Sequence, residues 1–83
     1  MKKKTRILER LEAGKKIVGV LKDETDDFIV LELKDGTPVY YPTFSGATSA
    51  LNEAQEDDII EITRVDGGHE IEILDAWPSE KEK

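Results

Sequence analysis

From Lys15 to Ala76 the apolar residues recur at every second position, and short polar or glycine-containing turns interrupt them. A period of two places successive side chains on opposite faces of a pleated strand, so this stretch predicts β-structure with one buried face. The first strand is "KKIVGVLKDE", residues 15–24, with Gly19 marking a bulge or a coiled bend. "DFIVLELKDG" is the second, with Ile29, Leu31 and Leu33 on one face and Phe28, Val30, Glu32 and Lys34 on the other. Asp35-Gly36 is a hairpin signal, so "TPVYYPTF" pairs antiparallel with the second strand. Pro38 and Pro42 have no N–H to donate and belong at strand ends, an edge or a break. "DDIIEITRV" and "HEIEILDA" are the fourth and fifth strands, joined through Asp66-Gly67-Gly68. Ile60, Ile62, Ile71 and Ile73 face inward there, and Glu61, Glu70 and Glu72 face outward.

Two segments carry the helical period instead. In "KKKTRILERLEAG", Thr5 suits a helix N-cap, Ile7, Leu8 and Leu11 share one side, and Gly14 suits the position after the last turn. In "SGATSALNEAQEDD", Ala47, Ala50, Leu51 and Ala54 fall at i, i+3, i+4 and i+7, a narrow face over two to three turns. The domain reading is a basic N-terminal helix over 1–14, a barrel over 15–76 and a charged tail over 77–83. Trp77 either folds back over the barrel or stays exposed as a docking aromatic before Pro78.

A chain of 83 residues makes one domain with one modest core. It has no cysteine, so packing and backbone pairing hold the fold without disulfides or thiolate metal sites. No apolar run approaches the roughly 18 residues of a membrane span, and "MKKKTRILERL" lacks a signal-peptide core; the expectation is a soluble, cytoplasmic protein. The net charge of −7 is unevenly spread. Residues 1–22 carry eight Lys or Arg against two Glu, net +6, and residues 23–83 carry four against seventeen acids, net −13. Phosphate neutralisation needs clustered cations, so a polyanion is expected to meet the N-terminal third.

The predicted order is helix, strand, strand, strand, helix, strand, strand. A five-stranded barrel with a helix between its third and fourth strands is the OB arrangement. "SGATSAL" followed by "EDDIIEITRV" resembles small OB-fold proteins of the phage-encoded single-stranded-DNA-binding type, over residues 15 to 76. The chain departs from that pattern at Asp57-Asp58, where a glycine commonly precedes the aspartate of the fourth strand. Sm or SH3-like barrels are the competing topology, but they join the third and fourth strands by a tight turn, whereas fourteen residues lie here. The resemblance implies a mainly β, OB-like Greek-key barrel that binds single-stranded nucleic acid without catalysis.

In such folds bases stack on aromatic faces of the second and third strands while cations track the phosphates. Tyr40 and Tyr41 are adjacent and must face opposite ways. With Tyr41 inward, Tyr40 and Phe44 join Phe28 outside as stacking surfaces, and Lys15, Lys16, Lys22, Lys34 and Arg64 are the phosphate contacts. The alternative places Phe44 and one tyrosine as a plug beneath the alanine-rich helix, with Phe28 packed on the N-terminal helix. A different function class uses Glu61, Glu70 and Glu72 as an acidic contact face for a basic protein surface, in the manner of a DNA mimic. Self-association of the basic end with the acidic remainder is a third. Nothing points to an enzyme or cofactor: His69 is the one histidine, expected as an exposed loop residue, and "DETDD" (23–27) lacks the glycine and closing glutamate of a calcium loop.

Overall fold

A computed structural model describes residues 6–78, and within them the chain is mainly β, with one six-stranded sheet and one short helix. The elements are β1 (Arg6–Ile7), β2 (Lys16–Glu24), β3 (Phe28–Glu32), β4 (Pro38–Pro42), α1 (Ala47–Ala50), β5 (Ile59–Val65) and β6 (Gly68–Leu74). Their spatial order is β1-β4-β3-β2-β5-β6. All neighbours are antiparallel except β1 and β4, which run parallel. No helix among the described residues is long and apolar enough to cross a membrane.

β2 organises the sheet because it serves two partners in succession. Its first half, Lys16 to Val20, pairs with β5, and its second half, Val20 to Glu24, pairs with β3. The register slips between Leu21 and Asp23, so the bulge falls at Lys22 and not at Gly19. Gly19 has another task. A Cβ there would lie 3.0 Å from the Leu31 Cβ and 3.2 Å from the Glu32 carbonyl oxygen, so the missing side chain lets β3 fold over β2. The core inside the resulting curl comprises Leu21, Ile29, Leu31, Val39, Tyr41, Ala47, Leu51, Ile60 and Ile62. Six of these, Ile29, Leu31, Val39, Tyr41, Ile60 and Ile62, are wholly inaccessible to water. They are the alternate residues of β3, β4 and β5, as the period of two requires.

The expected closed barrel is not formed: β1 and β6 are the two edges of the sheet, and no backbone ladder joins them among the described residues. The edge of β4 that could have met β6 is instead taken by β1, with Arg6 opposite Val39 and Ile7 opposite Tyr40. That pairing also replaces the expected N-terminal helix. Three turns of isolated helix are marginal, whereas a strand edge offers immediate backbone partners. The Leu8 N–H donates to the Tyr40 carbonyl at 3.0 Å, Leu8 and Leu11 pack on the core, and Ile7 is left 64% exposed. Thr5 lies outside the described residues, as do residues 79–83 of the tail. Trp77 is half-buried.

The second predicted helix is shorter than its pattern. Only Ala47–Ala50 are α-helical, with Gly46 as an N-cap lacking any side-chain bond. Thr48, Ser49 and Asn52 are weak helix formers, and after one turn the chain needs only to bury Ala47 and Leu51. Ile73 also departs from expectation at 40% exposure, because β6 is an edge and nothing covers its far end. The β3–β4 connection is residues 33–37, closed by the Leu33 N–H donating to the Thr37 carbonyl at 2.9 Å, and within it Gly36 takes φ 91° and donates its N–H to the Leu33 carbonyl at 2.8 Å.

At the entrance to β5, Asp57 has φ 78°, the one non-glycine residue with positive φ among those described. It occupies the place where the resemblance anticipates glycine. Its N–H donates to the Leu21 carbonyl at 2.8 Å, so the left-handed turn is held by β2.

Two stability measurements check this account. Gly19→Ala should cost about 1–3 kcal/mol in urea unfolding, since the Leu31 Cβ cannot rotate away; an unchanged midpoint would refute the close-approach argument. Asp57→Gly should hold stability within about 0.5 kcal/mol while Asp57→Val loses about 1–2 kcal/mol, because a β-branched residue resists left-handed backbone. Equal behaviour of the two variants would show that the turn is unconstrained.

Candidate functional site

The β3–β4 hairpin has one face in the core and one outside. Ile29, Leu31, Val39 and Tyr41 point in, so Phe28, Val30, Glu32, Pro38, Tyr40 and Pro42 form the outer face. Phe28 lies opposite Pro42 and Val30 opposite Tyr40, which sets the Phe28 and Tyr40 rings on a diagonal. Their centroids are 5.7 Å apart at 80°, edge to face, and both residues are half-buried. The tight turn below them is fixed by Thr25, whose hydroxyl accepts from the N–H groups of Asp27 and Phe28 at 3.2 and 2.9 Å. The "DETDD" segment is thus a hydrogen-bonded β-turn, and no group of three metal-ligating side chains occurs among the described residues.

The predicted cations are dispersed around this face. Lys22 is bound to Asp57 at 2.9 Å, and that bond, followed by the Asp57 charge, raises its pKa. Lys16 pairs with Glu61 at 3.2 Å. Lys15 and Lys34 are exposed and form no ion pair among the described residues. Arg64 does not belong to the outer face. It follows Ile60 and Ile62 on the inward side of β5, opposite His69, and its Nη1 donates to the Leu11 carbonyl at 3.2 Å.

Phe44 is also displaced from the expected set. It stacks on His69 with centroids 3.9 Å apart at 10° and meets Tyr41 edge to face at 6.1 Å. His69 is accordingly not an exposed loop residue. It is the second residue of β6, directed back across the open side of the sheet, where the Tyr41 hydroxyl lies 2.8 Å from its Nε2. That hydroxyl accepts the Leu11 N–H at 3.0 Å and keeps its own proton and a second lone pair for Nε2, so the contact suits a neutral imidazole in either tautomer. Burial, then the charges of Arg64 and Arg10, push the His69 pKa below its ordinary 6.5. Side chains thus join β4 to β6 where no ladder does.

The acidic residues form a third surface. Glu61 faces Glu72 directly across the β5–β6 ladder, Thr63 faces Glu70, and these four with Ile71 line a shallow depression of about 440 Å³. Like charges in directly opposed positions repel, and Lys16 offsets only part of this.

The structure therefore brings together Phe28 and Tyr40 on one face, Phe44, His69 and Arg64 at the open side, and Glu61, Glu70 and Glu72 on the outer face of β5–β6. Arg10 was not singled out in the sequence. Its Nη2 donates to the Thr43 carbonyl at 2.7 Å, a contact across 33 residues that no local pattern signals. No family model matches the chain, and no curated protein or solved structure does either.

The depressed His69 pKa gives a pH test. Between the folded and unfolded pKa values the unfolded chain binds more protons here, so this contribution is present above about pH 6.5 and is lost as pH falls through the folded value. Urea midpoints of the parent chain and His69→Gln at about pH 7.5 and about pH 5 should therefore converge on acidification. A gap that stays constant or widens would contradict the neutral imidazole.

Proposed function

We propose that this chain is a noncatalytic binder of single-stranded nucleic acid, built as a partly open OB-like Greek-key fold, with Phe28 and Tyr40 as its stacking platform. The observation that carries the reading is the outward pair of rings at 5.7 Å on the β3–β4 hairpin. A half-exposed aromatic pair on the face where OB-like sheets take bases is a sequence-tolerant platform, because every base has a π-face. The strand order supports the fold assignment: β2, β3 and β4 follow one another through short turns and β5 returns beside β2, which is Greek-key order. The unpaired edges of β1 and β6 are compatible with a partly open barrel.

Electrostatics set the strength of this binding. Lys34, in the turn at the far end of the hairpin from Phe28, is a cation without an ion pair among the described residues, and Lys22 has first to leave Asp57. Lys15 and Lys16 stand at the opposite end of β2, and Arg64 faces inward. Stacking thus supplies most of the affinity, and about two phosphates are neutralised, for a slope of log K against log salt near −1.4. In anisotropy titrations with labelled oligothymidine, Tyr40→Ala and Phe28→Ala should each weaken binding about 5- to 150-fold, the equivalent of 1–3 kcal/mol per stacked base. Absence of binding at about 50 mM salt, or indifference to both substitutions, would overturn the proposal.

The Glu61–Glu72 opposition favours a second reading, in which the outer face of β5–β6 docks a basic protein surface. Such a face retains repulsion for the sake of its partner. Neutralising it with Glu72→Gln should then raise stability by about 0.2–1 kcal/mol while leaving oligothymidine binding unchanged. A destabilised Glu72→Gln chain would show the residue to be structural and remove this reading.

A further inference from the structure

The open side of the sheet holds a cleft of about 350 Å³ lined by Arg10, Phe44, Ser45, Arg64, His69 and the Gly67-Gly68 turn. No carboxylate lines it. We propose that this cleft is a binding site for a phosphoryl oxyanion, gripped by the guanidinium groups of Arg10 and Arg64 with His69 as a third donor. The site is separate from the Phe28–Tyr40 platform and does not depend on the nucleic-acid reading.

Three observations carry it. First, neither arginine has an acidic partner among the described residues, although the chain has nineteen acids; Lys16 and Lys22, by contrast, are ion-paired. Each arginine is held by a backbone carbonyl, Arg10 by Thr43 at 2.7 Å and Arg64 by Leu11 at 3.2 Å. Such tethering fixes the charge without neutralising it, so a ligand meets groups that are already ordered. Second, Arg64 Nε is buried and has no hydrogen-bond partner among the described residues. That unsatisfied N–H is costly and shows that internal contacts do not exhaust the donors of this guanidinium; its Nη2, which makes no hydrogen bond among the described residues, is the end of the fork left for an oxyanion. Third, with Nε2 held by Tyr41, His69 Nδ1 makes no hydrogen bond among the described residues, and the tautomer protonated there offers a neutral donor.

Charge decides between oxyanion classes. Two uncompensated guanidiniums match a phosphate monoester, which carries about −1.5 to −2 near neutral pH, better than a single carboxylate. The phosphoryl group can come from a free phosphorylated small molecule or from the end of a nucleic-acid strand, and both present the same oxygens. The lowered His69 pKa agrees with this geometry, since after burial the charges of Arg64 and Arg10 are what act on the ring.

The test is histidine-ring NMR of the intact chain at constant pH and ionic strength, titrated with inorganic phosphate, with 5′-phosphorylated thymidine dinucleotide and with its unphosphorylated form. Both phosphoryl ligands should shift the His69 resonances saturably in the millimolar range, and the unphosphorylated dinucleotide and chloride should not. Arg10→Gln, which alters an exposed side chain, and Arg64→Lys should each weaken the response about tenfold or more. Phe28→Ala should leave it intact, which separates this site from the stacking platform. Tighter binding of the phosphorylated dinucleotide than of phosphate would identify a strand end as the source, and equal binding a phosphoryl group alone. The proposal fails if no saturable shift occurs, if Arg10→Gln titrates like the parent chain, or if the unphosphorylated dinucleotide shifts His69 equally.

Discussion

The missing side chain at Gly19 lets β3 approach β2 closely, and much of the tertiary structure follows from that contact. A Cβ at this position would press on the Leu31 Cβ and the Glu32 carbonyl, at the corner where β2 passes its pairing from β5 to β3. Because the two halves of β2 hold different partners, the sheet curls there and its inward residues converge on one core. The curl also turns the β3–β4 and β5–β6 hairpins toward each other. The Tyr41 hydroxyl then spans the remaining gap, accepting the Leu11 N–H and sharing a hydrogen bond with His69 Nε2. A wholly buried ring with a satisfied hydroxyl is favourable at such a point, since its apolar body packs while its polar tip finds partners.

This arrangement separates three surfaces with different chemistry. The outer face of β3–β4 is aromatic, the outer face of β5–β6 is acidic, and the open side between β4 and β6 is lined by arginine and histidine. The separation follows from strand geometry. Alternation sends Tyr40 out and Tyr41 in, Glu61 out and Ile62 in, so two functions can be carried on one small sheet without sharing residues. The N-terminal segment contributes Arg10 to the open side because β1 pairs with β4 and leads the chain across it. A helix over the same residues would have placed that arginine elsewhere.

Much of the fold was legible because its signals are local. Alternation located β2 to β6 within a few residues, identified Ile29, Leu31, Ile60 and Ile62 as core, and set Tyr40 and Phe28 on the opposite side from Tyr41. The errors have a common cause. Ile7, Leu8 and Leu11 satisfy a helical pattern, yet a free strand edge competes for the same backbone groups, and edges are not visible in a sequence. Phe44 and His69 lie 25 positions apart and stack only because the sheet curls, so neither could be assigned to the open side beforehand.

The amino-acid sequence by itself determined a cysteine-free, acidic β domain, the facing of its strands and the chemical type of each face, since a period of two and a charge count need no long-range information. Only the tertiary structure decided that the sheet stays open, that β1 replaces a helix, and that Arg10, Arg64 and His69 share one cleft. Those outcomes depend on which edges meet after the chain has curled. Edge meeting is a property of the whole fold, set by the corner in β2 and the contacts of Tyr41, and no window of neighbouring residues encodes it.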